Sequence, residues 1–303
     1  MKDAILRLLP EPILELLKRI KKYFRNRKLA FQKNNQQYLT KQELVDQIKK
    51  AGVVNGDHLL VHCALSKIGY INGGALTLID ALLETIGPNG TLLMPAFPAK
   101  GRNKDYLLEQ SVFDIKNTPS QMGIASETFR KMHGVKRSFH PTDSICALGK
   151  EADYFTNSHF GNITPYNEDS PFRKLCNKNG KILMLGTTLN GACTNLHTLE
   201  DAVNFKYPVY DDKIFNVRMI DHSGIVHTME TKVHNPIWSA KRNCDALKPL
   251  FEKEKVLNNA VIGEAKCILI DANRMLEVMI DYYNRYGVTM YTPYGTNNEL
   301  INS

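Results

Sequence analysis

No apolar run in this chain approaches the roughly 20 residues that a bilayer-spanning helix needs, so a transmembrane helix is excluded. The first residues also lack the continuous apolar core of a secretory signal, and a cytoplasmic location is expected. None of the six cysteines, at positions 63, 146, 176, 193, 244 and 267, belongs to a C-x-x-C pair. Most are flanked by apolar or small residues and read as reduced thiols rather than a disulfide framework. Neither H-E-x-x-H nor H-x-x-E-H occurs, so no metal is expected. Internal repeats and low-complexity tracts are absent as well. Net charge is scarce over most of the length. Of the formal +8, residues 1–33 carry +7, from ten Lys or Arg against three Asp or Glu, and the remainder only +1.

What the chain does hold is apolar matter for a substantial core: 303 residues, 43% of them hydrophobic, fit one large α/β domain with appendages. Residues 1–33 form a basic arm, KNNQQ at 33–37 a polar linker, and residues 38–303 the domain proper. Within the arm Ile13, Leu16, Leu17, Ile20 and Phe24 recur at helical spacing, while Lys18, Arg19, Lys21, Lys22, Arg25, Arg27 and Lys28 cover the other side or trail behind. This is a basic amphipathic helix. Such a helix lies on an anionic membrane surface, where each basic group contributes about 1 kcal/mol near the lipid. Alternatively, it packs its stripe on the body or on a second subunit of a homo-oligomer. Nucleic acid is not expected as a partner, because no recognisable binding module accompanies the basic stretch.

After the linker, Thr40 and Glu43 predict a capping box and a helix through about Ala51. HLLVHCAL (58–65) and TLLMPAF (91–97) have the length and apolarity of buried strands, with the apolar helix ALTLIDALLETI (75–86) between them. That order predicts a βαβ unit with parallel strands. Residues 99–120 read as irregular, 120–132 as a helix, and 137–149 as a hydroxyl-rich turn running into a strand. Pro171 starts a short helix capped by Ser170. Residues 214–220 and 225–231 flank Asp221-His222-Ser223-Gly224 as a β-hairpin, 265–271 is a strand, and a final helix ends at Gly287.

The run CTNLHTLED (193–201) follows the buried-looking KILMLG (181–186) and a small glycine-containing loop. It places His197 and Glu200 three residues apart, on one helix face. A carboxylate beside an imidazole fixes its tautomer and stabilises the imidazolium formed when it takes a proton. If Thr194 or Asn195 caps the helix, His197 falls in the first turn, where the macrodipole disfavours protonation and Glu200 pulls the other way. Taken alone, H-x-x-E reads by default as a surface pair on a charged helix. Its place after a strand and a loop is where open α/β sheets hold ligands. Cys193 stands four residues before His197, so a thiol nucleophile is an alternative to a small buried side chain.

In order along the chain, HCALSKIGYINGG, GTLLMPAF, TPSQMG with ETFRKMHGVKRSFHPTDSICALGKEA, DSPFRKL, KILMLG and CTNLHTLED resemble the aminoglycoside 3-N-acetyltransferase family from about residue 40 to 290. The resemblance implies a three-layer α/β/α fold on a central mixed sheet, acetyl-coenzyme A as donor, and an amine on a sugar-like acceptor. It assigns His197 as general base and Glu200 as its orienting carboxylate. It also implies that the segment Ala64, Leu65, Ser66, Lys67, Ile68 and Gly69 lines the coenzyme site, with Arg137, Ser138 and His140 of the R-S-x-H-P segment on the other side. A cationic fork at Arg137, with Lys67 and the hydroxyls of Ser66, Ser138 and Ser144, suits coenzyme phosphates. The chain departs from the pattern at Cys63 or Ala64, where a serine is usual, at Cys193, where Asn is expected, and in its basic arm.

These readings predict direct transfer, with Thr194 or a loop amide supplying a donor to the tetrahedral oxyanion. For the acceptor, a polycationic aminoglycoside calls for an acidic cleft. Glu168, Asp169 and Asp201 could build one, yet the body is near neutral. An amino sugar, including one carried on a nucleotide for surface polysaccharide synthesis, fits that charge better. A thiol hydrolase using Cys193 and His197, or a non-catalytic membrane-peripheral binding protein, are the other classes left open.

Overall fold

The computed structural model describes residues 11–109 and 112–296. A long first helix, α1 (Glu11–Asn34), precedes α2 (Lys41–Lys50), whose capping box forms as expected. Thr40 Oγ1 accepts from the Glu43 amide at 3.2 Å, and the Glu43 carboxylate accepts from the Thr40 amide at 2.8 Å. Then β1 (His58–Cys63), α3 (Gly74–Ile86) and β2 (Thr91–Pro95) make the βαβ unit, with β1 and β2 parallel. There follow β3 (Val112–Asp114), α4 (Ile124–Arg130), β4 (Lys136–Arg137), β5 (Ile145–Gly149), α5 (Pro171–Asn177) and β6 (Lys181–Leu185). The last part holds α6 (Thr198–Ala202), the hairpin β7 (Phe215–Ile220) and β8 (Val226–Thr231), then β9 (Leu257–Ile262), β10 (Ala265–Asp271) and α7 (Ala272–Tyr286).

The main sheet runs β4-β5-β2-β1-β6-β10-β9. Its centre, β2-β1-β6, is parallel, and the flanking strands pair antiparallel, which makes it a mixed sheet. Both faces of the central strands are apolar, as a sheet covered on two sides requires. Leu59, Val61, Leu92, Leu183 and Leu185 pack with Leu44 and Ile48 of α2, Leu78 and Leu82 of α3, and Phe129 of α4. Their neighbours Leu60, Leu93, Ile182 and Met184 face the other way, onto Phe172 and Leu175 of α5, Leu199 of α6, and Met275 and Met279 of α7. The three-layer α/β/α arrangement follows from that alternation.

Ser170 caps α5, with Pro171 opening it, and Gly287 at φ 70° closes α7, both as expected. Several elements escaped the sequence reading. The stretch 99–120 is not irregular throughout: it contains a helical turn at Asn103–Glu109 and β3, which pairs with β7 in a second, three-stranded sheet. That sheet has its own small core of Phe113, Phe215, Val217, Met219 and Met229. Another is β9, an edge strand whose exposed Asn258 and Asn259 erase the apolar alternation.

All six cysteines are free. Among the described residues no helix is long and apolar enough to cross a membrane. Helix α1 touches the body near its end, where Lys28 and Gln32 meet Glu264 at 2.6 and 2.8 Å. Most of its apolar stripe stays off the body: Ile13, Leu16, Ile20 and Phe24 are exposed, and Leu17 is partly buried.

Candidate functional site

The parallel strands β1, β2 and β6 end on one side of the sheet, and the segment after β6 crosses those ends. Thr194–His197 is a 3-10 turn that leads straight into α6. The expected cap at Thr194 or Asn195 is therefore not formed. His197 itself occupies the position before the helix, which is too short to supply an appreciable macrodipole. Burial, rather than the helix, keeps the imidazole neutral. It lowers the His197 pKa to about 3, against the pull of Glu200.

His197 Nδ1 lies 2.8 Å from Glu200 Oε1, and Glu200 Oε2 lies 2.7 Å from His234 Nε2. Tyr291 donates its hydroxyl to Glu200 Oε1 at 2.6 Å. Desolvation alone would raise this fully buried carboxyl, but its two imidazole partners outweigh that and hold it below the ordinary carboxylate range. An ionised carboxylate only accepts hydrogen bonds, so His197 must carry its proton on Nδ1 and keep Nε2 as a free base. The imidazole is also held from its faces: its ring centre is 4.9 Å from that of Tyr166, stacked, and 4.2 Å from that of His234. Tyr166 in turn donates to Asp143 at 2.8 Å.

His197 borders a cavity of about 370 Å³, together with His62, Arg102, Asp143, Thr194 and Arg242. Four polar atoms among these residues are buried without a hydrogen-bond partner: His62 Nε2, Thr194 Oγ1, and Nε and Nη2 of Arg242. Orphaned buried groups of this kind are satisfied by ordered water or by a bound ligand. The donor set suits carbonyl and phosphate oxygens.

The same atoms of His197, Glu200 and His234 lie within 4.8 Å of one another, close enough in principle to hold a metal ion. Each carboxylate oxygen also has an imidazole nitrogen at hydrogen-bonding distance, 2.8 Å for His197 and 2.7 Å for His234.

Of the residues expected to meet the coenzyme, several lie elsewhere than anticipated. Arg137 is buried and turned inward, donating to the carbonyls of Ala96, Thr118 and Ile115 and to Ser144 Oγ, with its guanidinium over the Phe113 ring. Burial lowers its pKa to about 10. Ser138 pairs with His159 and accepts from the Ile145 amide, Ser144 donates to Ala96, and His140 Nδ1 accepts from the amides of Thr142 and Asp143. These four side chains brace β4 and β5 instead of presenting donors to the cavity. The loop Ala64 to Gly69 follows β1 at the strand ends, with Ala64, Leu65 and Ser66 partly exposed. Lys67 Nζ is tied to Gly186 O at 2.6 Å, and α1 reaches the loop where Gln32 accepts from the Tyr70 amide at 3.0 Å. Cys193 is buried, and desolvation pushes its thiol well above the ordinary range, which gives an activated nucleophile no support. Glu168, Asp169 and Asp201 do not line the cavity. Asp201, raised to about 6 by burial, faces Tyr210 at 3.2 Å. His234, Tyr291, Tyr166, His62 and Arg242 went unnoticed in the sequence, since spacing cannot reveal a partner 34 or 91 residues away.

Burial lowers His62 to about 4, His159 to about 3 and His197 to about 3, and holds His140 well below 6.5. Below pH 6.5 the unfolded chain binds protons at these positions while the folded one does not, so stability falls as pH drops from 6.5 toward the folded values. The melting temperature should be lower at pH 5 than at pH 7.5 by about 5 °C or more. A melting temperature flat over that interval would contradict the buried neutral histidines.

Among proteins of known kind, the model of the family described as aminoglycoside 3-N-acetyltransferase matches residues 60–284. The chain is 27% identical over 281 residues to aminoglycoside N(3)-acetyltransferase III of Salmonella, covering 84% of this chain and 95% of the relative. It is 28% identical over 264 residues to the SPbeta prophage-derived aminoglycoside N(3')-acetyltransferase-like protein YokD of Bacillus subtilis strain 168, covering 78% and 90%. The solved structure of AAC-IIIb in its binary complex with CoASH superposes with a TM-score of 0.69 at 25% identity, covering 82% of this chain and 97% of that one.

Proposed function

The chain belongs to the aminoglycoside 3-N-acetyltransferase family, and from that premise we propose that it is a coenzyme A-dependent N-acetyltransferase in which His197 is the general base for direct transfer to the amine of an amino sugar. The observation that carries the reading is the pairing of His197 Nδ1 with the buried Glu200 carboxylate, which leaves Nε2 as base beside the cavity. Acetyl-coenzyme A supplies the thioester, in keeping with the CoASH complex of AAC-IIIb.

As the acceptor nitrogen attacks the thioester carbonyl, Nε2 takes its proton and Glu200 stabilises the imidazolium. Thr194 Oγ1, buried and without a partner, supports a donor role toward the developing oxyanion. Collapse of the tetrahedral adduct breaks the C–S bond, and the departing sulfur recovers the proton from His197. Glu200, His234 and Tyr291 are positioning residues in this scheme. The relatives' names support an aminoglycoside-type acceptor more than the nucleotide-linked sugar that charge alone favoured. A thiol hydrolase would need the Cys193 thiolate that burial suppresses.

Replacing His197 by Ala should cut amine-dependent thiol release from acetyl-coenzyme A by about 10²- to 10⁴-fold. Turnover within about tenfold of the parent would remove His197 from the base role.

Location is a separate question, and for it α1 offers an exposed apolar stripe of Ile13, Leu16, Ile20 and Phe24 among Lys and Arg side chains. Contact with the anionic inner face of a membrane follows from that pattern. Vesicles of phosphatidylcholine with phosphatidylglycerol should carry the protein in flotation, and a Leu16→Ser, Ile20→Ser, Phe24→Ser triple variant should bind about tenfold less. Equal binding by the variant would discard the membrane role. Concentration-dependent dimerisation without vesicle binding would assign the stripe to a second copy.

A further inference from the structure

The cavity beside His197 is rich in donors and poor in acceptors. Its single lining carboxylate, among the described residues, is Asp143, which already accepts from Tyr166 at 2.8 Å, Thr142 at 2.7 Å and Asn103 at 3.1 Å. Glu200 behind it is engaged with three partners. Neither is free to receive the ammonium groups of a polycation. Arg242, by contrast, is partly buried against Tyr291 with Nε and Nη2 sealed off and without an acceptor, and Arg102, exposed on the loop after β2, borders the same cavity with no side-chain partner among the described residues. Guanidinium nitrogens buried without an acceptor are costly, and an anion is the group that satisfies them most strongly.

We propose that the acceptor is an amino sugar carrying a phosphate or phosphate diester, and that Arg242 and Arg102 receive that group while the amine faces His197. The inference rests on the transferase reading and specifies its substrate. Coenzyme A also bears phosphates, but they are separated from its thioester by the whole pantetheine arm. Arg242 and His197 line the same cavity, at the end where the thioester must lie, so the phosphate that Arg242 would meet there is the acceptor's. The phosphate is bound and not consumed. In the transfer the amine nitrogen gains the acetyl carbon, the C–S bond breaks, and the amine proton passes through His197 to the thiolate.

Calorimetry on the full chain saturated with CoASH, which keeps the coenzyme's own phosphate site filled, tests this with glucosamine 1-phosphate, glucosamine and sisomicin as titrants. Glucosamine 1-phosphate should bind at least about tenfold more tightly than glucosamine. Arg242→Gln and Arg102→Gln should each weaken it by about tenfold or more, with CoASH affinity within about threefold of the parent. Arg242→Lys, which keeps the charge, should retain most of the binding and so separates loss of the anion site from misfolding. The proposal is overturned if glucosamine or sisomicin binds as tightly as the phosphorylated sugar. It is overturned equally if the Gln variants lose CoASH and keep glucosamine 1-phosphate, since the arginines would then serve the coenzyme. Binding of the phosphorylated sugar with no thiol release from acetyl-coenzyme A on any amine would fail the transferase reading and leave the anion site standing.

Discussion

One buried carboxylate organises this site. Glu200 has no exposed side-chain surface, yet it stays ionised because His197, His234 and Tyr291 all point hydrogen-bonding groups at its two oxygens. The arrangement sets the tautomer of His197, holds the plane of its ring, and joins three distant parts of the chain: the turn after β6, the segment after β8, and the stretch beyond α7. Loss of one donor would leave the others to compensate a buried charge, a far larger penalty than an exposed ion pair would suffer. Burial also keeps the imidazole neutral at pH 7 without assistance from a helix dipole, the state that the proposed base role requires.

The fold was largely legible because its central strands are apolar on both faces and its helices are punctuated by strong caps. Thr40 with Glu43, Ser170 before Pro171, and Gly287 each mark a boundary through local chemistry. What escaped was non-local or atypical. Strand β3 has three residues and pairs with β7 about a hundred positions later, and β9 lies at an edge where asparagines face outward. The site divides in the same way. His197 and Glu200 could be paired from their spacing, because three residues place two side chains on one helical face. Their shared partners could not, since His234 and Tyr291 are joined to Glu200 only by the folded sheet. Arg137 shows the limit of reading a side chain by its neighbours: a guanidinium near serines resembles a phosphate clamp, and here its nitrogens also hold the backbone carbonyls of Ala96, Ile115 and Thr118.

Kinship and local chemistry speak to different parts of the reaction. The family and the CoASH-bound relative bear on the donor and on the reaction class. The walls around the acceptor are this chain's own, and their idle donors on Arg242 and engaged oxygens on Asp143 and Glu200 are the features an anionic acceptor would use. At about one residue in four shared with its relatives, a site can keep its base and change the partner presented to it.

The protonation state of the His197 ring is the most direct measure of the central claim. Nitrogen-15 NMR of the histidine-labelled protein near pH 7, assigned with the His197→Ala variant, reads both ring nitrogens. The account predicts a protonated, pyrrole-type Nδ1 and an unprotonated, pyridine-type Nε2. Two protonated nitrogens, or the reverse tautomer, would contradict it.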